Sequence, residues 1–305
     1  MAFKALKQFF KSTQFMKSKL FTYLVLSITF LSFQFSCDKA KENDEELTGE
    51  IRIASIKYYE QSQALGEEIY EYDASGRLTK IKLSSTGVFS FEAATQFIYA
   101  SNSTKPISVI RSAVGDAAEF MQQDTVTFTW NGNSAVGNVI DTENEEFNRI
   151  ETYTFNENNE VTEFAVDITS MDFKVTISID WVNGNPVGQE RTFNGEMNAN
   201  FKSPNLKPFS LLSKTNSKVN ANQEKRTAAS LTYDTKKNPY SKLYSLMLIA
   251  DWDDFDLIMP SSNNKLSDEF YTYTYKYNNL DYPSEMTWTE DGDSYKLVFT
   301  YESAK

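Results

Sequence analysis

Polar and apolar residues alternate with a period of two through most of the chain beyond residue 50. Thr125-Val126-Thr127-Phe128-Thr129-Trp130, Lys174-Val175-Thr176-Ile177-Ser178-Ile179 and Tyr295-Lys296-Leu297-Val298-Phe299 are examples. β-Branched and aromatic residues fill these runs, which predicts half-buried antiparallel strands. Helical spacing is weak and confined to Ala113–Gln122 and Leu243–Ile249.

One unit recurs. Its pattern is aromatic-x-aromatic, Asp or Asn, two or three residues, Gly or Asn, then an apolar residue and another three further on. The copies begin at Tyr70-Glu71-Tyr72-Asp73-Ala74-Ser75-Gly76-Arg77-Leu78, Phe128-Thr129-Trp130-Asn131, Tyr153-Thr154-Phe155-Asn156, Ile179-Asp180-Trp181, Leu231-Thr232-Tyr233-Asp234 and Tyr275-Lys276-Tyr277-Asn278, with a degenerate copy at Tyr99. The anchors at 72, 99, 130, 155, 181, 233 and 277 set a basic period of about 26 residues, with the step from 181 to 233 twice that, and about 26 residues is the length of two strands plus two turns. Side chains at i and i+2 share one face of a strand. Asp or Asn followed by Gly or Asn supplies turn residues that accept positive φ. The expected fold is all-β, a large antiparallel meander of repeated hairpins. About fourteen strands are expected, and an open sheet that size curls, splits or closes, so the meander should be strongly curved or barrel-like. Glu71, Lys80, Lys82 and Lys174 on the polar strand faces argue against a transmembrane barrel, which needs an unbroken apolar outer band.

The first 36 residues have a different pattern. Lys4, Lys7, Lys11, Lys17 and Lys19 precede the apolar run Leu20–Phe35, then Ser36 and Cys37. A positive segment, an apolar segment and a small residue make a signal peptide. The run is at the short limit for crossing about 30 Å of hydrocarbon. Met16 offers an alternative start. Residues 37–49 are strongly polar and read as a disordered acidic tether. Residues 50–305 form a single β-meander domain, with a loop insertion at about 202–228.

Ser36-Cys37 resembles the bacterial lipoprotein signal, in its relaxed Bacteroidetes form because Gln34 and Phe35 depart from the strict pattern. The resemblance implies that Cys37 is lipidated and becomes the mature N-terminus. The run Asp38–Glu46 resembles the acidic signal that sends some Bacteroidetes lipoproteins to the outer face of the outer membrane; a plain solvated linker is the competing reading. Tyr70–Ile81 resembles the YD repeat of the Rhs family. Tyr233–Tyr240, Ser261–Asn264 and Tyr275–Pro283 resemble uncharacterised Bacteroidetes lipoproteins, a domain of unknown function with a porin-like meander fold. That likeness implies a fold and a location, and no activity. Asp281 stands where those relatives often have Gly.

Charge and composition narrow the chemistry. Removing residues 1–36 leaves 25 basic residues against 42 acidic, a net charge of −17. Such a surface repels nucleic acid and anionic headgroups, so membrane attachment should run through the lipid on Cys37. There is no histidine, which removes Ser-His-Asp and Cys-His catalysis and most zinc sites. Cys37 is the sole cysteine, so there is no intramolecular disulfide framework. Phosphate-binding glycine motifs are absent, and no cofactor is expected.

Asp251, Trp252, Asp253, Asp254 and Asp256 form the densest acidic-aromatic cluster and are the candidate ligand-binding residues. Carboxylates suit calcium, rings suit a sugar face, and paired carboxylates are the minimum for glycoside hydrolysis. A solvated loop is the competing reading, as it is for Asp141–Glu146. Lys202, Lys207, Lys214, Lys218, Lys225 and Arg226 make a basic loop. Trp130, Trp181 and Trp288 are expected in the core. Three functions remain open for a lipid-anchored outer-membrane protein, on its surface or periplasmic face. They are a non-catalytic binding or scaffold protein for a glycan or envelope protein, a carboxylate-based glycan-active enzyme, and an apolar-ligand carrier.

Overall fold

A computed structural model of the chain describes residues 49–86, 90–115, 123–142, 145–168, 170, 173–194, 223–226, 231–243, 261–268, 271–290 and 292–304. The alternating runs become strands: β1 Ile51–Glu60, β2 Gln63–Tyr72, β3 Leu78–Thr86, β4 Ser90–Tyr99, β5 Pro106–Gly115 and β6 Asp124–Asn131. They continue as β7 Ser134–Asp141, β8 Arg149–Phe155, β9 Val161–Ile168, β10 Phe173–Val182, β11 Asn185–Asn194 and β12 Gln223–Arg226. The C-terminal part supplies β13 Thr232–Lys237, β14 Asn263–Ser267, β15 Thr274–Tyr277, β16 Pro283–Glu290 and β17 Asp293–Ser303. The expected all-β meander of hairpins is present. Residues Ala113–Gly115, where helical spacing was noted, belong to β5; the rest of that stretch and residues 244–249 lie outside the described residues. Gln223–Arg226, within the stretch expected as a loop, pairs with β11 as an edge strand.

Fifteen strands form one antiparallel sheet in the order β12 to β1, then β17, β16, β15. The meander is therefore joined at its start by the C-terminal strands. β1 pairs with β17 from Ile51↔Ser303 to Glu60↔Tyr295. Period-two patterning cannot reveal this pairing, because it fixes which face a residue takes but not which strand lies alongside.

The remaining pair, β13–β14, links the two ends of the sheet. On one side, Ser262 N donates to Gly184 O at 2.7 Å and the Tyr233 hydroxyl to Pro186 O at 2.9 Å. On the other, Lys237 N donates to Asp281 O at 3.1 Å and the Tyr275 hydroxyl to Lys265 O at 2.8 Å. Both sheet ends contact this one two-stranded pair, so the sheet is strongly curved.

Alternation places one side of each strand in a common core. Ile56, Tyr70, Phe97, Val126, Tyr153, Phe164, Ile177, Leu297 and Phe299 are buried there. Each such side chain contributes about 1.5–3 kcal/mol on burial. Gly137 faces this core opposite Phe128, and a Cβ at Gly137 would lie 2.9 Å from Phe128 Cε1. The missing side chain makes room for the ring. Lys57, Lys82, Glu92 and Lys174 are exposed on the opposite face.

Candidate functional site

The strand order sorts the connections to two ends. One end carries the β2–β3, β4–β5, β6–β7, β8–β9, β10–β11 and β15–β16 turns, here called the turn rim. Three of its turns share one geometry. Asp73 Oδ1 accepts from the amides of Ser75 and Arg77, both at 2.9 Å. Asn156 Oδ1 accepts from Asn158 at 2.9 Å and Glu160 at 3.0 Å. Asn278 Oδ1 accepts from Leu280 and Tyr282, both at 3.0 Å. Three residues beyond each Asp or Asn stands a positive φ: Gly76 at 80°, Asn159 at 61° and Asp281 at 67°. The side-chain oxygen satisfies amides that the tight turn would orphan. These bonds hold the Asp73 carboxyl below the usual carboxylate range, the backbone bond from Arg77 first.

The recurring aromatics end the even strands at this rim. Tyr72 donates to Ile53 O at 3.0 Å and Tyr99 to Leu78 O at 2.7 Å. Trp130 Nε1 donates to Pro106 O at 2.7 Å, and Trp181 Nε1 to Val161 O at 2.8 Å. Tyr301 repeats the bond to Pro283 O at 2.6 Å. Phe155 has no donor and instead stacks on Trp130 with centroids 5.7 Å apart. The ring joins the core while its polar tip ties down the neighbouring strand. Trp130 and Trp181 are half-buried and Trp288 is buried, all packed with the core as expected.

Cations lie over three of these rings. Arg52 Cζ is 4.0 Å from the Tyr72 centroid, Arg77 Cζ 4.8 Å from Tyr99, and Lys105 Nζ 4.8 Å from Trp130. Arg77 also pairs with Asp73 at 2.7 Å and donates to Ser103 O at 2.8 Å. Lys105 donates to Gly132 O at 2.8 Å. The same step therefore repeats every two strands. Its sequence signal was available: an Arg or Lys about 20–25 residues before each of the first three anchors.

The other end of the sheet carries the β1–β2, β3–β4, β5–β6, β7–β8, β9–β10 and β16–β17 connections, here called the loop end. Just inside it lies a buried ionic cluster on β5–β8. Arg111 contacts Asp124 through Nε at 2.6 Å and a terminal nitrogen at 3.0 Å. Arg149 reaches Asp124 at 3.0 Å and Glu151 at 2.8 Å, and the Tyr153 hydroxyl donates to Glu151 at 2.7 Å. Burial pushes the Asp124 carboxyl up, but Arg111 and Arg149 outweigh it and hold the carboxyl below its ordinary value. The Tyr153 phenol is pushed well up, by burial first and Glu151 next. Sequence reading did not find this cluster, because its five members are spread over 43 positions.

Cys37 and the candidate cluster Asp251, Trp252, Asp253, Asp254 and Asp256 lie outside the described residues, as do Lys202, Lys207, Lys214 and Lys218. Of the Asp141–Glu146 stretch, Asp141 is buried at the end of β7 while Glu145 and Glu146 are exposed in a 3-10 turn. No group of acidic or cysteine side chains with metal-holding geometry occurs among the described residues. A cleft between β13–β14 and the main sheet is lined by Asn238, Tyr240, Lys265, Tyr275, Met286 and Phe299, among others. Its volume is roughly 30 Å³.

No family model and no curated protein matches the chain. Solved structures do. A porin-like protein from Bacteroides uniformis is similar at 15% identity, over 82% of this chain and 96% of that one, with a TM-score of 0.34. A porin-like protein from Bacteroides vulgatus is similar at 7% identity, over 83% and 99%, with a TM-score of 0.31.

Proposed function

We propose that this chain is a lipid-anchored cell-envelope protein of the outer membrane whose β domain binds or scaffolds through its surface. The observation that carries this reading is the layout of the chain. A positive segment, an apolar segment, Cys37 and a polar stretch precede residue 50, and the sheet begins at Ile51. Residues 1–36 act as the signal peptide, 37–49 as the tether and 50–305 as the domain.

Surface binding fits the interior better than carriage of an apolar ligand. Described core positions are occupied by Phe, Tyr, Ile and Val, and the cleft beside Tyr240 has a volume of roughly 30 Å³. Glycan-active chemistry finds no support in Asp124 and Glu151, the acids drawn together in the core, because arginines hold both. A glycan or an envelope protein is the proposed partner, and Asp251, Trp252, Asp253, Asp254 and Asp256 are the proposed contact residues.

The test replaces Cys37 with Ser, labels cells with a clickable fatty acid and treats intact cells with protease. Acylation of the wild type alone supports the anchor. Loss of the domain to protease places it on the cell surface, and protection places it on the periplasmic face. Equal labelling of both chains, or of neither, overturns the reading.

A further inference from the structure

We propose that the turn rim is the face this domain turns to the membrane, where it lies against the phospholipid headgroup layer. This rests on the anchor reading above and adds an orientation and a contact surface to it.

The first support is where the chain enters. Ala304 N donates to Glu50 O at 2.8 Å, Lys242 pairs with Glu50, and Arg52 lies beside the Gly76 turn. Residue 49 therefore leaves the sheet at the turn rim. Gly49 lies twelve positions after Cys37, a distance of about 40 Å when fully extended. A ten-residue strand is itself about 33 Å long. With the loop end on the membrane, the tether would have to run stretched along the whole sheet. With the turn rim on the membrane, no such span is needed.

The second support is side-chain chemistry. The rim places Tyr72, Tyr99, Trp130 and Tyr282 beside Arg52, Arg77, Lys105 and Lys237 respectively, the last with its Nζ 5.1 Å from the Tyr282 ring, and it also carries Trp181. Amphipathic rings and long cations are the residues that favour the headgroup region.

The test reconstitutes the full acylated chain in vesicles of phosphatidylethanolamine and phosphatidylglycerol carrying a headgroup spin label. A thiol-reactive fluorophore is attached at Ser75→Cys on the turn rim, or at Gln63→Cys on the loop end; both positions are exposed. Quenching several-fold stronger at position 75 is expected, and Lys105→Glu with Lys237→Glu should reduce that excess. Equal quenching, or stronger quenching at position 63, overturns the orientation while leaving the anchor intact. A chain not acylated at Cys37 overturns both.

Discussion

The turn rim and the loop end are made by the same strands and stabilised by opposite means. At the turn rim, order is local and repeated. An Asp or Asn oxygen caps a turn, an aromatic tip donates to a carbonyl 18–24 residues earlier, and a cation covers a ring. Each contact is half-exposed and individually modest. At the loop end, order comes from one buried cluster whose charges depend on one another. Asp124 serves both Arg111 and Arg149. Loss of one rim contact should therefore remain local, whereas loss of one cluster member leaves its partners charged in the core.

Asp124→Asn is the strongest way to test that contrast. Two guanidinium groups with side-chain exposures of 3% and 0% would lose their shared counter-charge. The expected loss is about 3–5 kcal/mol, read from chemical denaturation. Replacing Arg111 and Asp124 together with Met and Leu should recover much of it, since a buried pair is often no better than apolar residues of similar volume. Recovery failing entirely would mean the cluster specifies the fold.

Alkaline titration tests the core on both sides of the comparison. Burial pushes the phenols of Tyr70, Tyr153 and Tyr240 well above their ordinary value. In the unfolded chain they ionise near pH 10, so folding retains protons that the unfolded state releases. Their contribution is fully present below pH 10 and lost as the pH rises beyond it, by about 1.4 kcal/mol per group per unit. Denaturation midpoints should fall steeply above pH 10, with phenolate absorbance rising together with loss of the sheet signal. Full phenolate absorbance in a still-folded chain would contradict this. Tyr282, half-buried at the turn rim and raised by burial alone, should ionise before these three.

The same contrast explains what the sequence could disclose. Repetition is legible, so the anchors at 72, 99, 130, 155 and 181 identify β2, β4, β6, β8 and β10, with their turns at the residues expected. The Tyr233 copy did not behave as its pattern suggested. Its strand left the main sheet for the pair with β14, because its hydroxyl and backbone join two sheet ends. Gln61 and Ser62 turn β1 into β2 with φ of 46° and 73°, and neither is the Gly, Asn or Asp usual at positive φ. The cluster of Arg111, Asp124, Arg149, Glu151 and Tyr153 was illegible for a further reason. Its members look like ordinary strand-end charges until register aligns four strands. The candidate acidic-aromatic site at Asp251–Asp256 lies outside the described residues and rests on composition.

A moderate loss is expected from Trp130→Phe. Phe keeps a ring against Phe155 and loses the bond to Pro106 O, along with the better cation surface under Lys105. Those terms together are worth about 1–2 kcal/mol. The change should stay local, so hydrogen exchange should quicken in β5 and β6 near the turn and remain unaltered in β16 and β17. Faster exchange throughout the sheet would mean that the rim is as cooperative as the buried cluster.

The smallest effect is expected at Asp281, the residue that departs from glycine in a resembling turn. Its φ of 67° matches that of Gly76 and Asn159 in the other two copies. Asp281→Gly relieves a left-handed penalty of about 1 kcal/mol. It adds about 0.5–1 kcal/mol of chain entropy to the unfolded state. It also removes the exposed 2.6 Å pair with Lys236, worth about 0.2–1 kcal/mol. The backbone bond from Lys237 N to Asp281 O survives the change. At the middle of these ranges the terms nearly cancel, so thermal denaturation should show a loss of less than about 0.5 kcal/mol. A loss near that of Trp130→Phe would show that the Lys236 pair holds β13 to the rim. The join between the two sheet ends would then depend on a surface charge as well as on the backbone.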